Sequence, residues 1–269
     1  MKIQSFIVDA FTTRLFKGNP AAVCLLDSAL SLSETQMLLI AKEFGFSETA
    51  FVSPLAANTY HIRYFSPKME IPLCGHATLA SAKVLFEMGI TGNITFKTHS
   101  GLTLEIIKKA EEIAMSFPLS TLEVSSISKE ILQGLMISEV ESCFYNQEHN
   151  IILVEVAASK MLSLLSPDYG KLKSIKTDIN GVLVTARSSV EAYDYEYRYF
   201  WPWAGTNEDP VTGAVQSFLA PYWSKKLGKE VMKAFQCSDR TGEMTVAIAK
   251  DQVIISSDAV IFSKGEITI

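Results

Sequence analysis

The chain has 269 residues, with 24 basic and 29 acidic side chains and a formal net charge of −5 when histidine is neutral. A mild acidic excess supplies no basic face for a phosphate backbone, which sets nucleic acid aside as a partner. No apolar run approaches the ~18 residues of a membrane span, and the opening MKIQSFIVDAF does not read as a signal peptide. Hydrophobic residues at 48% allow a sizeable core, and at roughly 150 residues per domain one large or two modest domains are expected.

Residues 3–8 read as a strand, Gly18-Asn19-Pro20 as a turn, and 21–26 as a second, apolar strand. A helix follows. Ser33 and Gln36 form a capping box, Leu32 and Met37 stand where a hydrophobic staple belongs, and Gly45 marks the C′ stop. Residues 47–52 look extended, and 60–66 alternate as a strand halted by Pro67. The next helix, 77–88 with Gly89 as its stop, is apolar or small nearly all round as far as Ala82, which predicts enclosure on every side. Short strands are expected within 93–117, and 118–130, richer in Ser, Thr and Glu, is the candidate linker. Strands at 151–156 and 181–186 flank a helix at 160–165. The tail 246–269 reads as closing strands broken at Asp251-Gln252 and Lys264-Gly265.

A weak repeat runs through this pattern. Arg63-Tyr64-Phe65-Ser66-Pro67 is echoed by Arg198-Tyr199-Phe200-Trp201-Pro202, and each is followed by a turn, a glycine and a helix, from Gly75 to Gly89 and from Gly213 to Gly228. The echo predicts two similar domains, each presenting a glycine turn at the N-terminus of a buried helix. Unpaired N–H groups there suit an anionic ligand; the plainer alternative is that the glycines only permit tight turns.

Four residues invite chemistry. Glu48, on a period-two strand, shares a face with Phe46, Ala50 and Val52, and a carboxylate held against apolar neighbours suits general acid or base work. A strand-end glutamate turned to water is the plain alternative. His76, in the first turn of the enclosed helix, is pushed toward neutrality and can donate to a ligand oxygen, or else it bonds a loop carbonyl. Asp209, in Asp209-Pro210-Val211-Thr212-Gly213, either caps the second turn or fixes a polar group of a substrate. Cys74 is a thiol acid/base or an inert buried cysteine. Cys24, Cys143 and Cys237 are scattered, as reduced thiols of a cytoplasmic protein are, and His61, His99 and His149 show no ligand spacing, so no metal is expected. G-x-S-x-G, G-x-x-x-x-G-K and G-x-G-x-x-G are all absent from the sequence.

Gly18-Asn19-Pro20-Ala21-Ala22-Val23, Ser47-Glu48-Thr49-Ala50-Phe51, Arg63–Pro67, Glu70-Ile71-Pro72-Leu73-Cys74-Gly75-His76-Ala77-Thr78 and Asp209–Gly213 occur in an order that resembles the PhzF-like phenazine-biosynthesis family. The resemblance implies a diaminopimelate-epimerase-like α+β fold of two similar domains. Each is a curled, mostly antiparallel, barrel-like sheet around a central helix, and the active site lies between them. The expected domains are 1–117 plus about 258–269, and 118–257. The resemblance also implies a homodimer and a cofactor-independent isomerase that shifts a proton on a small carboxylate-bearing metabolite. It places catalysis on Glu48 and substrate contacts on Gly75, His76, Asp209, Gly213 and Ala214. Ala214 stands where the family carries a serine, so a hydroxyl contact to the substrate carboxylate is missing.

Two other readings stay open: a small-molecule binding protein that kept the site and lost the chemistry, motivated by Ala214, and an amino-acid epimerase using Glu48 with Cys74. A two-thiol racemase is disfavoured because Thr212 occupies the second cysteine position.

Overall fold

In the computed structural model, which describes residues 1–27 and 32–269, the chain divides into one unit of residues 1–116 with 254–269 and another of residues 117–253. The first opens with β1 (Lys2–Ala10), β2 (Asn19–Leu25), α1 (Glu34–Phe44), β3 (Thr49–Ala56) and β4 (Thr59–Phe65). It continues through β5 (Glu70–Ile71), α2 (Gly75–Glu87), β6 (Ile94–Thr98), β7 (Thr103–Lys109) and β8 (Glu112–Pro118). The second unit contains β9 (Glu123–Val124), α3 (Lys129–Leu135), β10 (Ser142–Asn146), β11 (Ile151–Glu155), α4 (Ser159–Leu164) and α5 (Tyr169–Ser174). Then follow β12 (Gly181–Arg187), β13 (Tyr195–Phe200), β14 (Glu208–Asp209), α6 (Gln216–Leu227), β15 (Val231–Gln236) and β16 (Gly242–Ala249). The last strands are β17 (Gln252–Ser257) and β18 (Ala259–Thr268), and β18 pairs antiparallel with β1.

The two units repeat one pairing scheme. β1–β2 is antiparallel, β2–β3 parallel, β3–β4 antiparallel, β4–β6 parallel and β6–β7 antiparallel. β10–β11, β11–β12, β12–β13, β13–β15 and β15–β16 alternate in the same way. A parallel pair needs a crossover, and helices supply it each time. α1 joins β2 to β3 and α2 joins β4 to β6; in the second unit α4 and α5 join β11 to β12, and α6 joins β13 to β15. This is the α+β architecture that the family resemblance implied.

Local chemistry explains the placement of the helices. Ser33 and Gln36 close a reciprocal capping box on α1, and Gly45, left-handed at φ 69°, ends it. Leu32, Met37, Ile40 and Ala41 enter one apolar cluster with Phe51 and Phe65. α2 is buried from His76 to Ala82 and again from Val84 to Phe86, and it lies against β1, β2, β3 and β18. Its small residues admit the strands closely, and the hydroxyls of Thr78 and Ser81 donate to the carbonyls of Cys74 and Ala77, both at 2.7 Å, so no hydroxyl is stranded there. At Gly18, φ is +68° and an added Cβ would stand 2.1 Å from the Ala10 carbonyl oxygen. Only glycine fits, which accounts for the start of the Gly18-Asn19-Pro20 motif in backbone terms.

Some elements differ from expectation. Asn19 and Pro20 already belong to β2, so the turn lies before them. The tail breaks at Asp258 instead of Lys264-Gly265: Gly265 pairs with Ser5, and the irregularity falls near Phe262, where the register slips between Ile7 and Val8. α6 begins at Gln216, three residues after Gly213, because residues 213–215 form a tight turn whose carbonyls accept from Gln216 and Ser217. β10, α3 and α5 are additional elements.

The repeated Arg-Tyr-Phe pentads make the same contact twice. Arg63 forks onto Glu70 at 2.7 and 2.6 Å, and Arg198 onto Glu208 at 2.7 Å for both bonds. Each guanidinium also covers the ring two residues on, Phe65 at 5.1 Å and Phe200 at 4.8 Å. Arg198 donates further to the Leu162 and Leu165 carbonyls. The fork ties each strand to the short strand preceding the helix turn.

The hydrogen bonds from Arg63 hold the Glu70 carboxyl below its ordinary range. The stability this contributes is complete above the unfolded carboxylate pKa and is lost as pH falls through the folded one. Arg63→Met should therefore cost about 2 kcal/mol at pH 7 and flatten the acid-side fall in urea midpoint. Arg198→Met, which also removes the donors to the Leu162 and Leu165 carbonyls, should cost about 3 kcal/mol. Equal midpoints for wild type and Arg198→Met would contradict the fork's role.

Candidate active site

Glu48 is not on a strand. It is the residue before β3, reached by the turn that follows Gly45, so the expected alternation with Phe46, Ala50 and Val52 does not hold: residues 49–52 are buried on both faces and Phe46 is half-buried. Its position is set from behind, because Thr49 pairs with Ala22 on one side and Phe65 on the other. With both flanking strands paired, the backbone at 48 has little freedom, and the carboxylate is aimed at polar groups instead of an apolar set.

Those polar groups come from the start of α2. Cys74 holds the N-cap position in extended conformation without capping through its side chain. Its carbonyl accepts from both the Thr78 N–H at 3.0 Å and the Thr78 hydroxyl at 2.7 Å, and Tyr64 meets that hydroxyl at 2.5 Å. The helix start is thus anchored to β4. From it, His76 Nε2 lies 3.3 Å from Glu48 Oε2, and Cys74 Sγ lies 3.4 Å from His76 Nδ1 and 3.8 Å from Glu48 Oε2. Gly75 is the first residue of the same helix. The donor atoms of Glu48, Cys74 and His76 all fall within 4.8 Å of one another.

The ring's protonation follows from its neighbours. Burial, with His76 only 8% exposed, holds its pKa below the usual imidazole value, and the Glu48 carboxylate opposes this in part. The neutral ring thus has the Glu48 carboxylate beside Nε2 and the Cys74 thiol beside Nδ1, and that thiol donates to Glu48 Oε2 at 3.8 Å.

The second unit carries the other sequence-derived residues in a single turn. Asp209 ends β14 and does not cap α6, whose N-cap position is Val215 with no side-chain bond. Its carboxylate accepts from the Thr212 hydroxyl. Gly213 is buried and Ala214 half-buried in the turn before α6. What fixes that turn is Gln236, fully buried, which accepts from the Thr212 N–H at 2.7 Å and donates to the Asp209 carbonyl at 2.6 Å. Tyr197 donates to the Thr212 carbonyl at 3.0 Å. Gln236 was not among the residues singled out from sequence; a lone glutamine at the end of an alternating strand carries no motif.

The chain matches the family described as phenazine biosynthesis-like protein over residues 8–265. It is 37% identical to an uncharacterized isomerase of Halalkalibacterium halodurans, with 99% of each chain covered. A crystal structure of a PhzF-family phenazine biosynthesis protein from Enterococcus faecalis superposes with a TM-score of 0.91 at 35% identity, covering all of both chains. A hydroxyproline epimerase from Agrobacterium vitis shares the fold at a TM-score of 0.56 and 11% identity, over 99% of this chain and 92% of its own. Among the described residues, no helix is long and apolar enough to cross a membrane.

Because the folded state resists protonating His76, the unfolded chain takes up the extra proton below an imidazole pKa of about 6.5, and stability should fall as pH drops from 7 toward 5. His76→Asn should shrink that fall in thermal melting temperature. An unchanged pH slope would show that the ring is not held neutral.

Proposed function

The chain belongs to the phenazine biosynthesis-like family, and from that premise we propose that it is a cofactor-independent isomerase in which Glu48 moves a proton between two positions of a small carboxylate-bearing metabolite. The observation that carries the reading is the Glu48–His76 contact at 3.3 Å, which sets a nearly buried carboxylate, 12% exposed at its side chain, beside a neutral imidazole. The uncharacterized isomerase among its relatives supports the reaction class.

In this reading Glu48 takes a proton from a carbon made acidic by an adjacent carbonyl or unsaturated system and returns it elsewhere on the same molecule. His76 orients the carboxylate, and the N–H groups at the start of α2, which no side chain caps, stabilise negative charge as it develops. In the second unit the same reading assigns substrate contacts to Asp209, Gly213 and Ala214. A homodimer is the assembly proposed with it.

The Glu48–Cys74 epimerase is not carried forward. Two bases working on opposite faces of one carbon, each ~3–3.5 Å from it, stand roughly 6–7 Å apart. Glu48 Oε2 and Cys74 Sγ are 3.8 Å apart and share one side. The binding-protein alternative rests on Ala214, whose methyl replaces the family's hydroxyl.

Incubating carboxylate-bearing metabolite pools with the protein in heavy water tests the proposal. One compound should gain a carbon-bound deuterium, and Glu48→Gln should slow that gain at least about a hundredfold. Retention of a compound with no deuterium in it would favour the binding protein. Exchange at the wild-type rate in Glu48→Gln would end the role given to Glu48.

A further inference from the structure

We propose that the outer edge of β18 is a self-pairing surface, which takes the β18 of a second copy of this chain, antiparallel, about a two-fold axis at Gly265. The inference names the face of the homodimer put forward above and rests on that assembly, not on the chemistry of Glu48.

β18 is a ten-residue strand paired along its length with β1, and on one face it lies against α2. Among the described residues no other strand pairs with it over 262–268. Phe262, Ser263, Lys264, Gly265 and Glu266 are all exposed. A strand with one partner leaves a row of unpaired N–H and C=O groups on its other side, and such a row templates a further strand.

The pairing with β1 determines which groups stand in that row. Ile269 donates to the Met1 carbonyl at 2.9 Å, and the Met1 amino group donates back to the Ile269 carbonyl. Residues 1 and 269 thus exchange both bonds. Ile3 faces Ile267, Ser5 faces Gly265 and Ile7 faces Ser263, so alternation turns the backbone groups of 263, 265 and 267 toward β1. Those of Lys264, Glu266 and Thr268 point outward.

Charge then selects the register. A two-fold pair joins outward groups to outward groups only when its axis passes through a residue. An axis at 264 sets lysine against lysine, and one at 266 sets glutamate against glutamate. Axes at 263 or 267 leave both charges without an opposite. At Gly265 the axis sets Lys264 of each copy against Glu266 of the other, and these two pairs exchange about four backbone hydrogen bonds. The charges meet on one face of the sheet, where Lys264 Nζ stands 5.7 Å from the Phe6 ring centroid and Glu266 accepts from Lys2 at 3.0 Å.

The neighbouring surface agrees. Phe262 and Phe16, 49% and 65% exposed with ring centroids 5.6 Å apart, flank the edge and give it apolar area to bury. Lysines and bulges guard natural edges against foreign strands, and β18 carries both, in Lys264 and the irregularity near Phe262. Glu266 makes that guard complementary to a second copy of itself. Lysine and glycine are poor strand formers, which is why Lys264-Gly265 reads as a break from sequence; at a two-fold axis both have a place.

Sedimentation equilibrium of the intact protein, joined to cross-linking, is the test. The wild type should dimerise. Lys264→Glu or Glu266→Lys should weaken the dimer at least about tenfold, since each replaces two opposite-charge pairs by like-charge ones. The double variant Lys264→Glu with Glu266→Lys should return to within about threefold of wild type. Gly265→Cys should give a disulfide-linked dimer under mild oxidation, because facing Cα atoms about 4.5 Å apart lie within disulfide reach. The wild type, with Cys24, Cys74, Cys143 and Cys237 alone, should not cross-link. If a charge variant does not fold by circular dichroism, the Gly265→Cys cross-link decides. A dimer that both single charge changes leave unmoved, a double variant no stronger than the singles, or a dimer that Gly265→Cys does not cross-link overturns the β18 surface and leaves the homodimer standing. A wild type that stays monomeric overturns both, and the heavy-water test of Glu48 is independent of either result.

Discussion

A buried imidazole meets a carboxylate at 3.3 Å because two segments far apart in sequence are each held from the backbone side. Glu48 is held by Thr49, already engaged in two strand pairs, and His76 by a helix start whose N-cap carbonyl takes two bonds from Thr78. Neither anchor uses the reactive atoms. That division lets the backbone carry the positioning while the carboxylate, ring and thiol keep donors and acceptors for chemistry.

The same economy appears at larger scale. One pairing scheme is used twice, and in each copy an arginine from the Arg-Tyr-Phe pentad forks onto a glutamate just before the turn that leads to the helix. The two turns then diverge. The first starts its helix directly at Gly75 and presents Cys74 and His76; the second runs through a tight turn at 213–215, braced by Gln236, and presents Asp209 and Thr212.

Much of this was legible in the sequence, for reasons that are local. The Ser33 capping box, the glycine stops and the apolar-all-round helix are signals that a few adjacent residues carry, and the pentads report a contact each makes with its own neighbours. Glu48 was noticed for a strand face it does not occupy; its real surroundings depend on α2, which period-two reasoning cannot reach. Gln236, α3 and α5 were missed because their partners lie far along the chain, and β10, which pairs with its neighbour β11, because its half-buried run carries no alternation. The meeting of Glu48, Cys74 and His76 is a property of three dimensions, although each residue had been singled out separately.

The central claim is that burial keeps His76 neutral beside the Glu48 carboxylate. Long-range proton–nitrogen NMR of the imidazole at pH 7 reads this directly. The account predicts a neutral ring, and an imidazolium ring would contradict it.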